Sequence, residues 1–485
     1  MSYQNLREFI TFLESKNEIH YIDAPVSRDL EITEITDRAV KSGGPALYFR
    51  NVEGFTMPIV TNLFGTHQRM AWALGVDSTD DLTQKVREIL GIVKTPPESL
   101  FDKLKTLKDM ASIAKTQPKT VSSGPCQEVV KIGHEADLNF LPHLKCWPDD
   151  GGRFITMPLV ISRDPITGKR NVGTYRMQVY DSNTAGMHWQ SHKVGASHYR
   201  SGELQELEKM EVAVTLGSDP TTMWTGALPL PPDMDEIAVS GVVSNSSVKM
   251  VKCKTIDLEV PANSEVVLEG YVIPGELKEE GPFGDHTGYY SLEDDYPVFH
   301  LTAITHKKDP IYPATVVGRP PSEDYFMGKA VERLMLPALQ LTLPEIVDIN
   351  MPAEGVFHNL VIVSMKKEYP GHTRKVMNAI WGLGLMMLAK GIIIVDDNVN
   401  VQDLSEVAWR VSSNINPDTD LVITEGPVDD LDHSSPTPKY GSKLGIDATK
   451  KTEMDGRKRT WPPDVIMSDE MKSYVSKRWT EYGFQ

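Results

Sequence analysis

The sequence predicts a multidomain α+β protein with an α/β region at each end and a strand-rich region between them. Its 485 residues are too many for one ordinary hydrophobic core, so roughly two to four domains are expected. Pro96, Pro97 and Pro118, with lysines between them, are typical of an exposed connector and put a boundary near residue 120. After about Gly318, helical and strand patterns alternate, which favours crossover connections.

The N-terminal region opens with an amphipathic helix, because four apolar residues recur there at helical spacing. These are Leu6, Phe9, Ile10 and Leu13. The elements predicted next are a turn that leads into a strand, a short strand and a helix, over Gly43–Phe49, Met57–Leu63 and Leu82–Val93.

Many short apolar runs separated by turn residues indicate a central β-barrel or β-sandwich rather than a Rossmann unit. The predicted strands are Ile155–Ser162, Val172–Tyr180, Val212–Leu216, Ala238–Val243, Val248–Cys253, Val266–Ile273 and Val298–His306. The first two form a hairpin with a long loop. Neither a GxGxxG nor a Walker A sequence is present.

The C-terminal region predicts three helices, three strands and a tail helix. The helices are Asp324–Leu336, Gly371–Lys390 and Val401–Ser412, the strands are Leu360–Met365, Gly391–Asp396 and Asp420–Thr424, and the tail helix is Asp469–Trp479. The tail helix has little core of its own. It therefore docks either on a neighbouring subunit or on its own domain.

Charge and cysteine content restrict the partners and the compartment. The net charge of −17 argues against nucleic acid, or an anionic membrane surface, as the main partner. Cys126, Cys146 and Cys253 fit neither a disulfide framework nor a CxxC metal site. There is no signal-peptide pattern at the start and no apolar run long enough to span a bilayer, so we expect a cytoplasmic protein.

One stretch concentrates proton-active groups, namely Glu280-Gly-Pro-Phe-Gly-Asp-His-Thr-Gly-Tyr-Tyr290. Along a straight strand, Glu280 and Asp285 would face opposite sides. The glycines and the proline between them favour a turn that brings both carboxylates to one pocket, and His286 and Tyr289 lie beside it. A surface loop with solvated acids is the alternative.

Arg176 is the single cation in an otherwise uncharged strand. Such an arginine often reaches water at a barrel rim. If it points inward it needs a carboxylate, because an unpaired buried charge is costly, and Glu280 and Asp285 are available in the same predicted domain. An arginine between two acids would favour their ionised forms and could build an acid–base triad.

A second constellation is Asn171, His192 and Glu236. An amide oxygen, an imidazole and a carboxylate suit Mn²⁺ or Mg²⁺ rather than structural Zn²⁺, and leave positions for water and phosphate oxygen. The alternative is that His192 is one of many ordinary histidines. Asn171 and Arg176 would face opposite sides of an unbroken strand, so the hypothesis requires a bulge or an Asn171 that precedes the strand.

Several long motifs, in order and spread over nearly the whole chain, resemble the UbiD family of prenylated-FMN decarboxylases. They are the 280–290 stretch, Asn171-Val-Gly-Thr-Tyr-Arg176, Trp189-Gln-Ser-His192, the run from Glu259 to Gly270, and the run from Gly441 to Thr449. The segments Leu30–Arg38, Ser42–Leu47 and Asn62–Thr66 resemble the ubiquinone-pathway branch in particular.

The resemblance implies an N-terminal α/β domain (residues 1–120), a central split β-barrel like that of flavin reductases (121–317) and a C-terminal α/β domain with a terminal helix (318–485). It also implies a homodimer, or a homohexamer built from dimers.

By the same resemblance, Arg176, Glu280 and Asp285 match the catalytic residues, with Asp285 as the proton donor. Asn171, His192 and Glu236 match the ligands of an Mn²⁺ ion that clamps the flavin phosphate, with K⁺ as a further ion. The residues that fall where the family lines the flavin are Thr174, Tyr175, Arg176, His188, Trp189, Gln190, Lys193 and Val194. His188 and Lys193 depart from the arginines expected in the ubiquinone branch, which changes the cations near the phosphate or ring.

The implied activity is a reversible, non-oxidative decarboxylation of 4-hydroxy-3-polyprenylbenzoate to 2-polyprenylphenol in ubiquinone biosynthesis. The alternative substrate is a small phenolic acid such as 4-hydroxybenzoate, protocatechuate or vanillate. A separate flavin prenyltransferase would supply the cofactor, and a prenylated substrate would bring the protein transiently to a membrane. A catalytically silent scaffold would lack Arg176, Glu280 or Asp285, and all three are present.

Overall fold

The computed structural model describes residues 2–94, 111–231 and 234–484. The strands, in chain order, are β1 (Ile19–Ile22), β2 (Ala46–Phe49), β3 (Ile59–Thr61), β4 (Lys119–Val121), β5 (Val129–Ile132), β6 (Arg153–Ile155), β7 (Leu159–Arg163), β8 (Arg170–Gly173), β9 (Met177–Val179), β10 (Thr184–Met187), β11 (Met210–Leu216), β12 (Lys249–Lys252), β13 (Glu259–Pro261), β14 (Val266–Glu280), β15 (Phe283–Gly284), β16 (Tyr290–Ser291), β17 (Asp294–His306), β18 (Tyr312–Pro313), β19 (Ile346–Asn350), β20 (Leu360–Met365), β21 (Gly391–Asp396), β22 (Leu421–Pro427) and β23 (Tyr440–Asp447).

Twelve α-helices lie within the described residues. They are α1 (Leu6–Ser15), α2 (Glu31–Lys41), α3 (His67–Ala73), α4 (Asp80–Lys94), α5 (Val194–Leu204), α6 (Pro220–Thr225), α7 (Glu236–Ser244), α8 (Glu323–Thr342), α9 (His372–Trp381), α10 (Leu404–Asn414), α11 (Pro417–Asp420) and α12 (Asp469–Lys477).

The N-terminal helix α1 packs its predicted apolar face on a small sheet. Leu6, Phe9, Ile10 and Leu13 are all buried, and Asn5 caps the helix by accepting a hydrogen bond from the Glu8 amide. The sheet has the order β1-β2-β3-β18, so its last strand comes from far along the chain. This pairing ties the N-terminal region to the segment that follows the central sheet, and the division into 1–120, 121–317 and 318–485 stays a prediction.

A curled half-barrel of nine strands forms the centre of the molecule. Its order is β6-β9-β10-β17-β14-β11-β7-β8, and β5 joins along β17. The long antiparallel pair β14 and β17 has register shifts at Glu269/Gly270 and at Val272/Leu277. Because β14 ends at Glu280 and β17 begins at Asp294, the predicted acidic turn closes this hairpin.

The C-terminal sheet has the order β19-β20-β21-β23-β22, with parallel pairs in the middle and antiparallel pairs at both edges. Val376, Met377 and Ile380 of α9 pack in one hydrophobic cluster with it, and Val407 of α10 belongs to another. The mixed α/β multidomain fold is thus confirmed, whereas likeness to flavin reductases stays a prediction.

Four predicted elements are wrong. Ile155–Ser162 is not one strand, because β6 ends at Ile155 and β7 begins at Leu159. Ala238–Val243 belongs to helix α7, because Asp235 caps it by accepting from the Ile237 amide. Val172–Tyr180 breaks into β8 and β9, with residues 174–176 outside both strands. The helix predicted over Gly371–Lys390 ends at Trp381, with Gly382 at its C-cap.

The last helix, α12, has no buried residue. The preceding Val465, Ile466 and Met467 are also exposed. In the described parts of the chain, no helix is long and apolar enough to cross a membrane.

Candidate active site

The connection between β14 and β17 contains a short hairpin, β15–β16, whose strands have two residues each. Phe283 pairs with Ser291 and Gly284 with Tyr290. Gly281 has φ +105° and Gly288 has φ +82°, values that side-chain-bearing residues rarely adopt. Gly284 packs against Trp147 so closely that an added Cβ would lie 2.1 Å from its ring. Gly281 and Gly284 allow the chain to reverse tightly between Glu280 and Asp285, and Gly288 allows the turn that follows.

Arg176 lies between the two acids. Its Nε donates to Glu280 Oε1 at 2.9 Å, its Nη1 donates to Asp285 Oδ2, and its Nη2 donates to Ser291 Oγ at 3.0 Å. The guanidinium carbon stands 4.5 Å from the centroid of the Phe283 ring. The structure therefore brings together the three residues that the resemblance assigned to catalysis, and their catalytic roles stay a prediction.

The break between β8 and β9 explains how Arg176 reaches inward. The Thr174 amide donates to Gly226 O at 2.9 Å instead of to a neighbouring strand. Because residues 174–176 leave the pleat, the parity of Asn171 no longer determines the direction of Arg176. Asn171 and Arg176 therefore need not face opposite sides, as they would on an unbroken strand.

Burial and charge oppose each other in this cluster. Burial alone would raise the pKa of Glu280, but the Arg176 charge and the His188 hydrogen bond lower that pKa to about 2. Burial likewise acts to raise the pKa of Asp285, yet Arg176 and His286 hold it well below its usual range. Glu280 is 0% exposed, and Arg176 and Asp285 are 8% exposed. Both acids are therefore anions in a site with little water.

His188 shares Glu280 with Arg176. Its Nδ1 lies 2.9 Å from Glu280 Oε2, and its ring centre lies 4.3 Å from that of Tyr296. Burial and the charge of Arg176 lower the pKa of His188, so the ring is neutral and donates its Nδ1 proton to the carboxylate. Its Nε2 is then a buried lone pair, and it has no hydrogen-bond partner among the described residues.

Asp285 is bonded on its other side to His286. The Nδ1 atom and the backbone amide of His286 both lie 2.7 Å from Asp285 Oδ1. The Nε2 atom of His286 lies 2.8 Å from Nε2 of His358, which belongs to the C-terminal region. His358 was not predicted, because the contact joins residues that are 72 positions apart and no local pattern signals it.

The residues expected to line a flavin gather beside this cluster, where β10 leads into α5. The Tyr175 hydroxyl accepts from the Gly195 amide at 3.3 Å, and its ring meets Trp189 edge-on at 6.4 Å. Three buried nitrogens in one short segment have no partner in the described chain, namely Nε2 of His188, Nε1 of Trp189 and Nε2 of His192. A polar ligand would satisfy them, so this segment fits a bound cofactor.

The first turn of α5 adds positive potential to that segment. The N-cap residue, Lys193, makes no side-chain cap to the helix, which leaves the helix start open to an anion. Burial lowers the pKa of Lys193. Gln190 accepts from the Lys193 amide at 2.9 Å, and Val194 is the first residue of the helix.

Two of the three predicted metal ligands are neighbours. Glu236 Oε2 accepts from the Val172 amide at 3.0 Å, next to Asn171, whose amide nitrogen donates to the Tyr175 hydroxyl at 3.4 Å. Burial raises the pKa of Glu236 to about 7, as expected for a carboxylate that lacks a cation. The described residues contain no group of three or more His, Cys, Asp or Glu that could hold a metal. The donor set, with an amide and the unpartnered His192, fits a hard cation, and the metal site stays a prediction.

Three family models match successive parts of the chain. Residues 10–89 match the N-terminal domain of 3-octaprenyl-4-hydroxybenzoate carboxy-lyase (UbiD_N), residues 119–320 match its Rift-related domain (UbiD), and residues 325–448 match its C-terminal domain (UbiD_C). An uncharacterized protein of Archaeoglobus fulgidus is 49% identical over 485 residues, covering 99% of each chain.

Two solved structures are similar over nearly the whole chain. The closed form of the vanillic acid decarboxylase of Sedimentibacter hydroxybenzoicus is 28% identical, with a TM-score of 0.86 over 99% of this chain and 100% of that one. An evolved dimeric form of the UbiD-class enzyme HmfF from Pelotomaculum thermopropionicum, in complex with prenylated FMN, is 26% identical, with a TM-score of 0.78 over 96% and 98%.

Proposed function

Because this chain belongs to the UbiD family of carboxy-lyases, we propose that it removes carbon dioxide from a hydroxylated aromatic acid with the help of prenylated FMN. The observation that carries the proposal is the buried Arg176, held between Glu280 and Asp285 next to three unpartnered nitrogens. A purely structural ion pair would not need a ligand site beside it.

Each member of the cluster has a role that its contacts support. Arg176 keeps both acids ionised and fixes their positions through donors to each. Glu280 holds negative charge against Arg176 and orients His188. Asp285, once protonated, could donate to a carbon of the substrate. Because all three side chains are almost completely buried, little water can compete with that proton transfer.

The cofactor would lie against the segment from His188 to Val194, together with Thr174 and Tyr175. When bound, prenylated FMN supplies an electron-accepting centre for the carbon that loses carbon dioxide. Trp189 Nε1 is a free donor there, and Lys193 with the start of α5 suits a phosphate. Asn171, His192 and Glu236 would hold Mn²⁺, with K⁺ as a further ion, and a flavin prenyltransferase would supply the cofactor.

The surroundings of Asp285 favour a small phenolic acid over a prenylated one. His286, His358, Asp324 and Asp429 interact with one another or with Asp285, so this side of the site is polar. Polar groups match ring hydroxyls better than a hydrocarbon tail. The similar vanillic acid decarboxylase supports the same choice.

The second candidate is 4-hydroxy-3-polyprenylbenzoate, converted to 2-polyprenylphenol in ubiquinone biosynthesis. The description of the matched family models as 3-octaprenyl-4-hydroxybenzoate carboxy-lyase favours it. With that substrate we would expect transient contact with a membrane. For either substrate we propose a cytoplasmic homo-oligomer, a dimer or a hexamer, in which the exposed tail helix α12 finds a neighbouring subunit.

Carbon dioxide release tests the proposal. The chain is co-expressed with a flavin prenyltransferase, supplied with Mn²⁺ and assayed without air on vanillate, 4-hydroxybenzoate, protocatechuate and a short-chain 3-prenyl-4-hydroxybenzoate. Turnover of the small acids alone would support the first candidate, and turnover of the prenylated acid alone would support the second. Modified flavin bound with no carbon dioxide from any acid would refute both.

A further inference from the structure

Both carboxylate oxygens of Asp285 accept hydrogen bonds from nitrogen donors. Oδ2 accepts from Arg176, and Oδ1 accepts from the amide and the ring of His286. Three hydrogen bonds from nitrogen donors, one of them from the charged guanidinium, stabilise the ionised form of this carboxyl group. In this arrangement the proton donor assigned by the family resemblance is therefore an anion, and its proton must be stored elsewhere.

His286 is the neighbour of Asp285 that can store that proton. Arginine does not give up a proton in proteins, and a backbone amide does not act as an acid at ordinary pH. The Nδ1 atom of His286 lies 2.7 Å from Oδ1 of Asp285, which is within direct transfer distance for a proton. Its side chain is 20% exposed against 8% for Asp285, so His286 is the member of the pair that exchanges protons with solvent more easily.

His358 holds the far side of the same ring. Two Nε2 atoms 2.8 Å apart require that one ring donates and the other accepts. Nδ1 of His358 has no partner in the described chain, and burial together with the charge of His286 lowers the pKa of His358 to about 4. His358 is therefore neutral and accepts at Nε2, whereas His286 donates from both nitrogens.

The turn that presents His358 is conformationally strained. Val356 and Phe357 both have positive φ, at 54° and 41°, which is unusual for a β-branched and for a bulky residue. Such strain persists only where the surroundings impose it, and it often marks a functional contact. Here it carries the imidazole of the C-terminal region to His286 of the central region.

We propose that His286 stores the proton that Asp285 delivers to the substrate, and that His358 is a positioning residue that holds the His286 ring in the donating orientation. In the step, the Nδ1–H bond of His286 breaks and an Oδ1–H bond forms on Asp285. Asp285 then passes this proton to the carbon that has lost carbon dioxide, and a C–H bond forms there. His286 is left neutral with its Nε2–H on His358, and one proton from water per turnover restores it. The inference rests on the proposed decarboxylation.

The charges around His286 agree with this assignment. Burial acts to lower the pKa of His286, but Asp285, Asp324 and Asp429 outweigh it and raise that pKa. The positive groups nearby are Arg176, which is engaged by the acids, and Lys193, which faces His358. Asp285 and Asp429, whose own pKa values are lowered, favour the imidazolium, and Asp324 adds to them above its raised pKa of about 7.

The test compares His286→Gln with the wild-type holoenzyme over pH 5.5 to 9. Glutamine can still donate a hydrogen bond to Asp285 but has no proton to transfer. In the wild type, kcat should fall as pH rises through the raised pKa of His286, because the imidazolium is lost. In His286→Gln, kcat should be about 100-fold lower, that alkaline limb should vanish, and KM should stay the same.

His300→Gln is the matched control. His300 also pairs with a carboxylate, because its Nε2 lies 2.6 Å from Glu276 Oε2, but this pair does not include Arg176. This variant should keep the wild-type pH profile. His358→Phe removes the acceptor and should move the alkaline limb to lower pH, whereas His358→Gln keeps an acceptor oxygen and should restore it. An alkaline limb that survives in His286→Gln would overturn the inference.

A measurement on the cofactor-free protein is independent of turnover. Because the folded pKa of His286 is raised above its unfolded value, its stabilisation is fully present below about pH 6.5 and is lost as pH rises through the folded pKa. The loss of Tm caused by His286→Gln should therefore be larger at pH 6 than at pH 9. An equal decrease in Tm at both pH values would refute the proposal that His286 stores the proton. A wild type that releases no carbon dioxide from any acid would count against the proposed function instead.

Discussion

Two neighbouring parts of the active site differ in whether their buried polar atoms have hydrogen-bond partners within the protein. Around Arg176 the ionic groups are matched within the protein, with donors to Glu280, Asp285 and Ser291. From His188 to His192, by contrast, three buried nitrogens have no partner in the described chain. The first part is complete before any ligand binds, and the second needs one. The difference indicates where the protein supplies charge and where a cofactor supplies contacts.

Arg176→Ala should have the largest effect, because it leaves two buried carboxylates without a cation. We expect a loss of about 3 to 5 kcal/mol in the free energy of unfolding, measured by urea denaturation at pH 7, and no turnover. The pKa values of Glu280 and Asp285 are lowered in the folded protein, so their stabilisation exists above their unfolded pKa values and is lost as pH falls. The cost of Arg176→Ala should therefore shrink below about pH 4.

Arg153→Ala is the control for that variant. Arg153 pairs with Asp29 at 2.7 Å, but the two side chains are 43% and 39% exposed. An exposed pair contributes about 0 to 1 kcal/mol, so this variant should be nearly as stable as the wild type. Equal losses of unfolding free energy in the two variants would show that the buried Arg176 cluster contributes no more than an exposed ion pair.

Asp285→Asn should abolish carbon dioxide release and leave flavin binding intact, because Asp285 contacts Arg176 and His286 rather than the unpartnered segment. Flavin content after purification and turnover of the aromatic acid measure the two effects separately. Glu293→Gln, at an exposed position of the same β14–β17 connection, should keep both properties. Loss of flavin from Asp285→Asn would contradict the division between the two parts.

The same division explains what could be predicted from sequence. Strands β20 and β21 match their predicted bounds residue for residue, because buried parallel strands are nearly continuous apolar runs. Ala238–Val243 is also such a run, yet it forms α7, since the capping Asp235 outweighs the strand preference of valine. The turn after Glu280 could be anticipated from its glycines. The contact of His286 with His358 could not, because it depends on how distant segments pack.

Glu236→Gln should act in the opposite direction to Arg176→Ala. Burial raises the pKa of Glu236 to about 7, so the stability linked to its protonation is present below its unfolded pKa and is lost as pH rises through about 7. At pH 8 without metal, the neutral glutamine should therefore match or exceed the wild type in Tm. Added Mn²⁺ should raise the Tm of the wild type and not that of Glu236→Gln. A variant that still responds to Mn²⁺ would remove Glu236 from the proposed ligand set.

Trp189→Phe should give the smallest effect, and Trp224→Phe is its matched control. The indole nitrogen of Trp224 donates to Met327 O at 3.0 Å, whereas that of Trp189 has no partner. Both substitutions remove the same apolar surface, but only Trp224→Phe breaks a hydrogen bond inside the protein. In the cofactor-free protein, Trp189→Phe should therefore be less destabilising by about 1 kcal/mol. With FMN added, the order of sensitivity should reverse, because the FMN-induced rise in Tm should shrink in Trp189→Phe and persist in Trp224→Phe. An undiminished response of Trp189→Phe to FMN would mean that its free donor does not face the cofactor.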